Sequence, residues 1–328
     1  MKYGIIGTGW IAESFIAGVR LKTDSEIVAV YSRTAEKGGE FAQRNSIPAI
    51  YTNLDIFLES DMDAVYIASP NVMHYPQSKK CLEAGKHVIC EKPVTVTPEQ
   101  YEECKRIADK NGLIYIEAIM YMHTPAREVL RENLKRIGRI TSAHFDFSQL
   151  SSKYPAYLRG ENPNIFNPQM ATGSLMDLGI YCVYPALDLF GIPEKITADA
   201  VFLDSGADAS GSVSFNYGDK LITFTHSKTG QDYSGSEIFG DEGTIHIESI
   251  SKLINVFLYK SDAEKEQIIH EYSKPELMGF EAENFENYIK NPADEKYLLS
   301  SKNALQVCRL MQEIRDRANI RFKEYNYD

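Results

Sequence analysis

The sequence predicts an α/β chain of two domains, a doubly wound parallel sheet at the N-terminus followed by an α+β domain built on a large, mainly antiparallel sheet. Three observations predict it. Through residue 118, short apolar runs alternate with amphipathic helical stretches. After His123-Thr124-Pro125 the pattern becomes strand after strand joined by tight turns. The 328-residue length exceeds one ordinary domain, and a 43% hydrophobic content is ample for two cores.

The spacing predicts strands over 3–6, 27–31, 64–68 and 87–90, with helices over 11–20, 35–45, 76–84 and 98–111 between them. Near-continuous apolar strands separated by helices mark a parallel sheet buried on both faces, because right-handed crossovers place helices above and below it. A strand over 113–117 closes this sheet, and the break at 123–125 precedes a helix over 126–135, which puts the boundary near residue 120. Beyond it, strands are expected over 140–149, 195–203, 211–217, 221–227, 236–239, 244–248 and 253–259. Turns such as Tyr217-Gly218-Asp219-Lys220 and Gly240-Asp241-Glu242-Gly243 join several of them and signal antiparallel neighbours. Helices over 279–290 and 300–318 finish the chain, the second with Leu305, Val307, Leu310, Met311 and Ile314 on a broad apolar face. An antiparallel sheet with helices on one side leaves its other face to be covered, so a homodimer or homotetramer through that sheet is expected.

A formal charge of -11, with no basic stripe, argues against a nucleic-acid partner. The N-terminus meets Gly4 and Gly7 too early for a signal peptide, and no apolar run reaches the length of a membrane span, so a cytoplasmic protein with no membrane partner is expected. Five scattered cysteines without a C-x-x-C pair read as buried thiols in a reducing compartment. The seven histidines show no ligand spacing, so no metal is expected.

Gly7-Thr8-Gly9-Trp10-Ile11-Ala12 follows the first strand and opens the first helix, the context that makes a G-x-G-x-x-A run a dinucleotide fingerprint. Gly7 permits the tight turn, Gly9 lets the backbone approach a pyrophosphate, and Ala12 permits close helix–strand packing. The helix N-terminus offers N–H groups and partial positive charge to the phosphates. At the end of the second strand, where a carboxylate would bond the ribose 2′-hydroxyl of NAD, stand Ser32, Arg33 and Thr34. Hydroxyls and a guanidinium suit a 2′-phosphate, so NADP is favoured over NAD.

Three further patches put polar or helix-breaking residues where ligands sit in α/β folds: Ser69-Pro70-Asn71-Val72-Met73-His74, Glu91-Lys92-Pro93 and Gly173-Ser174-Leu175-Met176-Asp177-Leu178-Gly179-Ile180-Tyr181. With the fingerprint, Ala84-Gly85-Lys86-His87-Val88 and Ile238-Phe239-Gly240-x-x-Gly243, they span nearly the whole chain. On these residues the sequence resembles the Gfo/Idh/MocA oxidoreductase family of glucose-fructose oxidoreductase, inositol dehydrogenase and rhizopine-catabolism proteins. Tyr181, where many relatives carry His, resembles the branch with xylose and dihydrodiol dehydrogenases. Glu117-Ala118-Ile119-Met120-Tyr121 resembles that group too, but Met122 stands where Arg is common.

The resemblance implies a Rossmann domain over 1–120 and a substrate-binding and oligomerisation domain over 121–328. It implies that Lys92 reaches the substrate hydroxyl and the nicotinamide ribose, with Asp177 and Tyr181 facing it across the cleft. The chemistry is coherent. A tyrosine, with a pKa near ~10, is a poor base until a nearby ammonium favours the phenolate. Asp177 and Tyr181, four apart, are expected on one face of a helix capped by Ser174. Ser69, Pro70, Asn71 and Glu91 are expected on the cofactor side, and His74 either touches cofactor or caps the next helix.

The expected activity is hydride transfer between nicotinamide C4 and a hydroxyl of a sugar, polyol or cyclic diol. Alternatives are a trans-dihydrodiol dehydrogenase, an aldose-ketose oxidoreductase that keeps its cofactor bound, and a non-catalytic dinucleotide-binding regulatory protein. The segment over 150–170 carries no readable substrate code.

Overall fold

A computed structural model describes residues 1–260 and 265–322. The chain begins β1 (Lys2–Ile6), α1 (Trp10–Lys22), β2 (Glu26–Tyr31), α2 (Ala35–Asn45), β3 (Ala49–Tyr51), α3 (Leu54–Leu58) and β4 (Ala64–Ile67). It continues α4 (Asn71–Glu83), β5 (His87–Glu91), α5 (Pro98–Lys110), β6 (Tyr115–Ala118), α6 (Met120–His123), α7 (Ala126–Asn133), β7 (Ile140–Ser148) and α8 (Tyr154–Leu158). A π-helical turn, Leu175–Gly179, leads into α9 (Ile180–Phe190). Next come β8 (Lys195–Phe202), β9 (Asp208–Asn216), β10 (Leu221–Ser227), β11 (Ser236–Gly240), β12 (Gly243–Ser249), β13 (Ile254–Lys260) and β14 (Lys265–Ile269), then α10 (Lys274–Lys290) and α11 (Glu295–Arg317).

The first compact unit holds Met1–His123 and Ser273–Leu305. Its six strands lie in the order β3-β2-β1-β4-β5-β6, all parallel, so the strand order reverses between β1 and β4. That is the doubly wound order in which dinucleotides bind at the switch point. Tyr66 of β4 stacks flat on Phe15 of α1 with ring centroids 3.8 Å apart, joining sheet to helix in the core. Helix α10 packs along α1, where Gly18 lies so close to Gly279 that a Cβ on it would sit 2.5 Å from the Gly279 amide nitrogen. The division of the chain is therefore discontinuous, which a single boundary near 120 did not anticipate.

The second unit holds Thr124–Tyr272 and the described residues from Gln306 onward. Its eight strands run β14-β13-β12-β11-β7-β10-β9-β8, antiparallel throughout except for β7 beside β10. Alternation sets which face is buried: Ala143 and Phe145 on β7, Ile222 and Phe224 on β10, and Val213 and Phe215 on β9 all point inward. Helix α9 covers this apolar face, with Phe190 stacked on Phe145. Helix α7 is tied to α9 by Arg127, which donates to both oxygens of Asp188 at 2.9 and 2.6 Å, both side chains being buried.

Three helix starts differ from the sequence reading. Helix α4 begins at Asn71 rather than at Pro76, which sits inside it and forgoes one backbone bond. Helix α10 begins at Lys274 rather than 279 because Ser273 and Glu276 form a capping box with Pro275 in the first turn. Helix α11 begins at Glu295 rather than 300. Strands β3 and β14 and helix α3, each of three to five residues, had no expected counterpart.

Candidate active site

The turn from β1 into α1 sits at the C-terminal end of the central strand. Gly7 has φ +113°, and a Cβ there would lie 2.5 Å from the Ala68 carbonyl oxygen, so the adjoining β4 loop can approach only glycine. At Gly9, by contrast, nothing lies within 4 Å of a would-be Cβ. The backbone there is open to a close-approaching group, immediately before Trp10 and Ile11, whose amides begin the helix and lack acceptors within it. Ala12 is fully buried against the sheet. Thr8 is half-buried and Trp10 is 69% exposed, with the Lys274 ammonium 5.5 Å from its ring centroid. This cradle fits a dinucleotide pyrophosphate.

At the end of β2, Ser32 is buried and its amide donates to the Tyr51 carbonyl. Thr34 caps α2, its Oγ1 accepting the Lys37 amide at 3.4 Å, which leaves the hydroxyl proton to donate elsewhere. Arg33 between them is exposed. The three residues thus present a guanidinium, a hydroxyl and a helix N-terminus together, with only Ser32 withdrawn.

Two loops lie beyond β4 and β5. Ser69 donates its hydroxyl to Gln77 Oε1 at 2.6 Å, Pro70 stands at the N-cap position of α4 without a side-chain cap, and Asn71 is the first helical residue. His74 is buried inside α4, with Nδ1 2.7 Å from the Pro93 carbonyl and Nε2 2.8 Å from the Ser69 carbonyl. It therefore does not cap the helix: its buried ring sits between the Ser69 loop and the Pro93 loop, with a carbonyl of each at hydrogen-bond distance. Burial lowers its pKa, although the two carbonyls pull the other way.

Glu91, expected on the cofactor side, is buried among protein groups. Tyr66 donates its hydroxyl to Oε1 at 2.6 Å, and the Lys92 amide donates to Oε2 at 3.3 Å. Burial raises its pKa, with the Lys92 charge opposing the rise. Glu91 anchors the loop that presents Lys92, and Lys92 itself is half-buried. From the neighbouring strand, Glu117 accepts the Val94 amide at 2.8 Å and fixes the same loop. Met122 is buried, its Sδ facing the Asn303 amide, so this position is part of a packed interior.

In the second unit, Asp177 and Tyr181 do not share one regular α-helix. Asp177 lies in the π-helical turn and Tyr181 in the first turn of α9. Such turns are rare and recur at functional sites. Ser174 stands at the N-cap position but makes no side-chain cap; its hydroxyl meets His226 Nδ1 at 2.9 Å. The Leu175 amide is held by Asp208 Oδ2 at 2.6 Å, from the start of β9. Lys228, just past β10, donates to Asp177. Tyr181 is buried to 8% exposure with its ring edge-on to Phe147 at 5.4 Å.

These supports carry perturbed acidities. Burial pushes the Asp208 carboxyl up to about 7, against the pull of the Leu175 amide and the Lys228 charge. Burial also pushes His226 down to about 3, so it is a neutral ring. Asp208, His226 and Lys228 were absent from the sequence reading. Lys228 had a usable signal, since Ser227-Lys228-Thr229-Gly230 puts polar residues at the end of a strand as Ser69–His74 and Glu91-Lys92-Pro93 do; Asp208 and His226 had none. The segment over 150–170 builds α8 and an aromatic group of Tyr154, Tyr157 and Phe166.

Among the described residues no group of His, Cys, Asp and Glu is gathered to hold a metal, and no helix is long and apolar enough to cross a membrane. All five cysteines are buried thiols.

Residues 1–119 match the oxidoreductase family with NAD-binding Rossmann fold of the GFO/IDH/MocA group, and residues 124–246 match the GFO/IDH/MocA C-terminal domain. The chain is 36% identical over 321 residues, 98% of each protein, to scyllo-inositol 2-dehydrogenase (NADP(+)) IolU of Bacillus subtilis. It is 33% identical to the trans-1,2-dihydrobenzene-1,2-diol dehydrogenase of Mus musculus over 76% of this chain and 75% of that one. Among solved structures it superposes on KijD10, a 3-ketoreductase from Actinomadura kijaniata in complex with NADP and TDP-benzene, with a TM-score of 0.84, covering 96% of this chain and 97% of that one, at 22% identity.

Proposed function

This chain belongs to the Gfo/Idh/MocA family and is an NAD(P)-dependent oxidoreductase acting on CH–OH groups; on that premise we propose that it oxidises a hydroxyl of a cyclic polyol, passing the carbinol hydride to nicotinamide C4 of NADP. The observation that carries the substrate class is the end-to-end similarity to an NADP-linked scyllo-inositol dehydrogenase, at 36% identity over 98% of both chains.

The chain's own residues supply the rest. Gly7, Gly9 and the first turn of α1 hold the pyrophosphate, and Arg33 with Thr34 at the start of α2 binds the 2′-phosphate. No carboxylate stands among Ser32, Arg33 and Thr34 to repel it. Lys92, on a loop fixed by Glu91, Glu117 and His74, polarises the substrate oxygen and favours the Tyr181 phenolate. Tyr181 takes the hydroxyl proton as the C–H electron pair leaves, so the alcohol becomes a ketone and one proton is released after reduction of the cofactor. Asp177 accepts a hydrogen bond from a second substrate hydroxyl. The small polyol itself is the partner; a less polar trans-diol is the second reading, favoured by the similarity to the mouse enzyme.

The test is the appearance of reduced nicotinamide when purified protein meets NADP or NAD and either scyllo-inositol, other inositols, aldoses or trans-1,2-dihydrobenzene-1,2-diol. Turnover of an inositol with NADP supports the reading. Turnover of the aromatic-derived diol alone selects the second, and turnover of neither class overturns both.

A further inference from the structure

The proposed chemistry gives no role to Lys228, yet its ammonium is among the best-buried charges of the second unit, the residue being 5% exposed. A buried ammonium is unfavourable unless paired and hydrogen-bonded. Its backbone is held from both sides, the amide donating to the Ala209 carbonyl at 2.8 Å and the carbonyl accepting the Ser151 amide at 2.9 Å. The side chain is thereby directed from the end of β10 onto the π-helical turn, where Nζ donates to Asp177 Oδ2. The pair is asymmetric: the lysine side chain is 7% exposed and the aspartate 28%. The carboxylate faces outward and the ammonium backs it from within.

A second carboxyl, Asp208, lies near enough for the Lys228 charge to act on it, while its own Oδ2 is committed to the Leu175 amide. Together with the Ser174–His226 contact, three residues of β9, β10 and the turn after β10 grip three positions of the 174–177 segment. Two of these grips hold backbone or a hydroxyl. The Lys228 grip is on a group assigned to substrate.

We infer that Lys228 is a positioning residue for the reaction: it holds the Asp177 carboxylate in one orientation, as a hydrogen-bond acceptor for substrate. This rests on the assignment of Asp177 to substrate made above. Misplacing an orienting group lowers the rate without touching cofactor binding.

The experiment is a double-mutant cycle on the full-length enzyme with Lys228→Met, Asp177→Asn and both, assayed with scyllo-inositol and with trans-1,2-dihydrobenzene-1,2-diol against NADP. Each single variant is expected to lose roughly 10- to 100-fold in kcat/KM for substrate with an unchanged KM for NADP, and the double variant is expected to lose no more. A merely structural lysine predicts lower stability with kcat/KM per folded molecule unchanged. That outcome, with Asp177→Asn impaired, overturns this inference alone. Asp177→Asn at the wild-type level overturns the parent assignment, as does a wild type that turns over neither compound, and this inference falls with it. If Lys228→Met does not fold, Lys228→Gln keeps a hydrogen-bond donor and removes the charge; it is expected to lose kcat/KM in its own right with KM for NADP unchanged, and wild-type kcat/KM in it beside an impaired Asp177→Asn overturns the inference.

Discussion

Asp208, at the start of β9, accepts the backbone amide of Leu175 at 2.6 Å and so caps a helical turn that lies 33 residues earlier in the chain. The Ser174 side chain, which local capping rules nominate, bonds to His226 instead. The turn that presents Asp177 is held by strands from another part of the sequence.

The acidity of Asp208 makes this anchor pH-dependent. Its folded-state carboxyl is raised from 3.8 to about 7, so between those values the folded chain binds a proton that the unfolded chain has released. Its contribution is fully present below about pH 4 and is lost as pH rises through about 7, a change on the order of 4 kcal/mol. Asp208→Asn keeps an acceptor and removes the titration. Urea denaturation at pH 5 and pH 8 should show wild type losing stability across that interval relative to the variant; parallel curves would refute the assignment.

Gly173 should tolerate no side chain. Its φ is +142°, and a Cβ would lie 1.9 Å from Asp208 Oδ1, so Gly173→Ala combines backbone strain with displacement of the anchor. A loss of about 2–4 kcal/mol in urea denaturation is expected. Gly39, where nothing lies within 4 Å of a Cβ, serves as the control, since Gly39→Ala in the middle of α2 should stabilise slightly.

Arg33→Ala should raise KM for NADP roughly 10-fold or more, the worth of charge-assisted hydrogen bonds to a phosphate, and leave KM for NAD nearly unchanged. Equal changes for the two cofactors would place Arg33 outside the 2′-phosphate site. Initial rates at saturating polyol decide it.

Lys92→Ala should lower turnover roughly 10²-fold with cofactor affinity, read by fluorescence titration, largely kept. Tyr181→Phe should do the same, and the double variant should fall little further if the two act as a unit. Full additivity would mean separate roles.

Much of the fold was legible because its signals are local. The alternation from Lys2–Ile6 to Tyr115–Ala118 is written in burial periodicity, and Gly7 and Gly9 are dictated by a turn that closes within a few residues. What was missed is either short or distant. The strands Ala49–Tyr51 and Lys265–Ile269 are too brief for a period to show and exist through pairing with β2 and β13. The Ser273 capping box is a local signal that lies before the apolar face of α10.

The sequence by itself determined the two sheet types and the glycine turn between the first strand and the first helix, and it nominated Ser32-Arg33-Thr34, Lys92, Asp177 and Tyr181, because each is carried by contiguous residues whose spacing has a direct physical meaning. Only the tertiary structure decided that Ser273–Leu305 belongs with the first unit, that His74 and Glu91 hold loops, and that Asp208, His226 and Lys228 grip the turn around Asp177. The reason is that a buried polar group must find a partner wherever the fold supplies one. Each of these residues has a partner 19 to 52 positions away, beyond the reach of any local pattern.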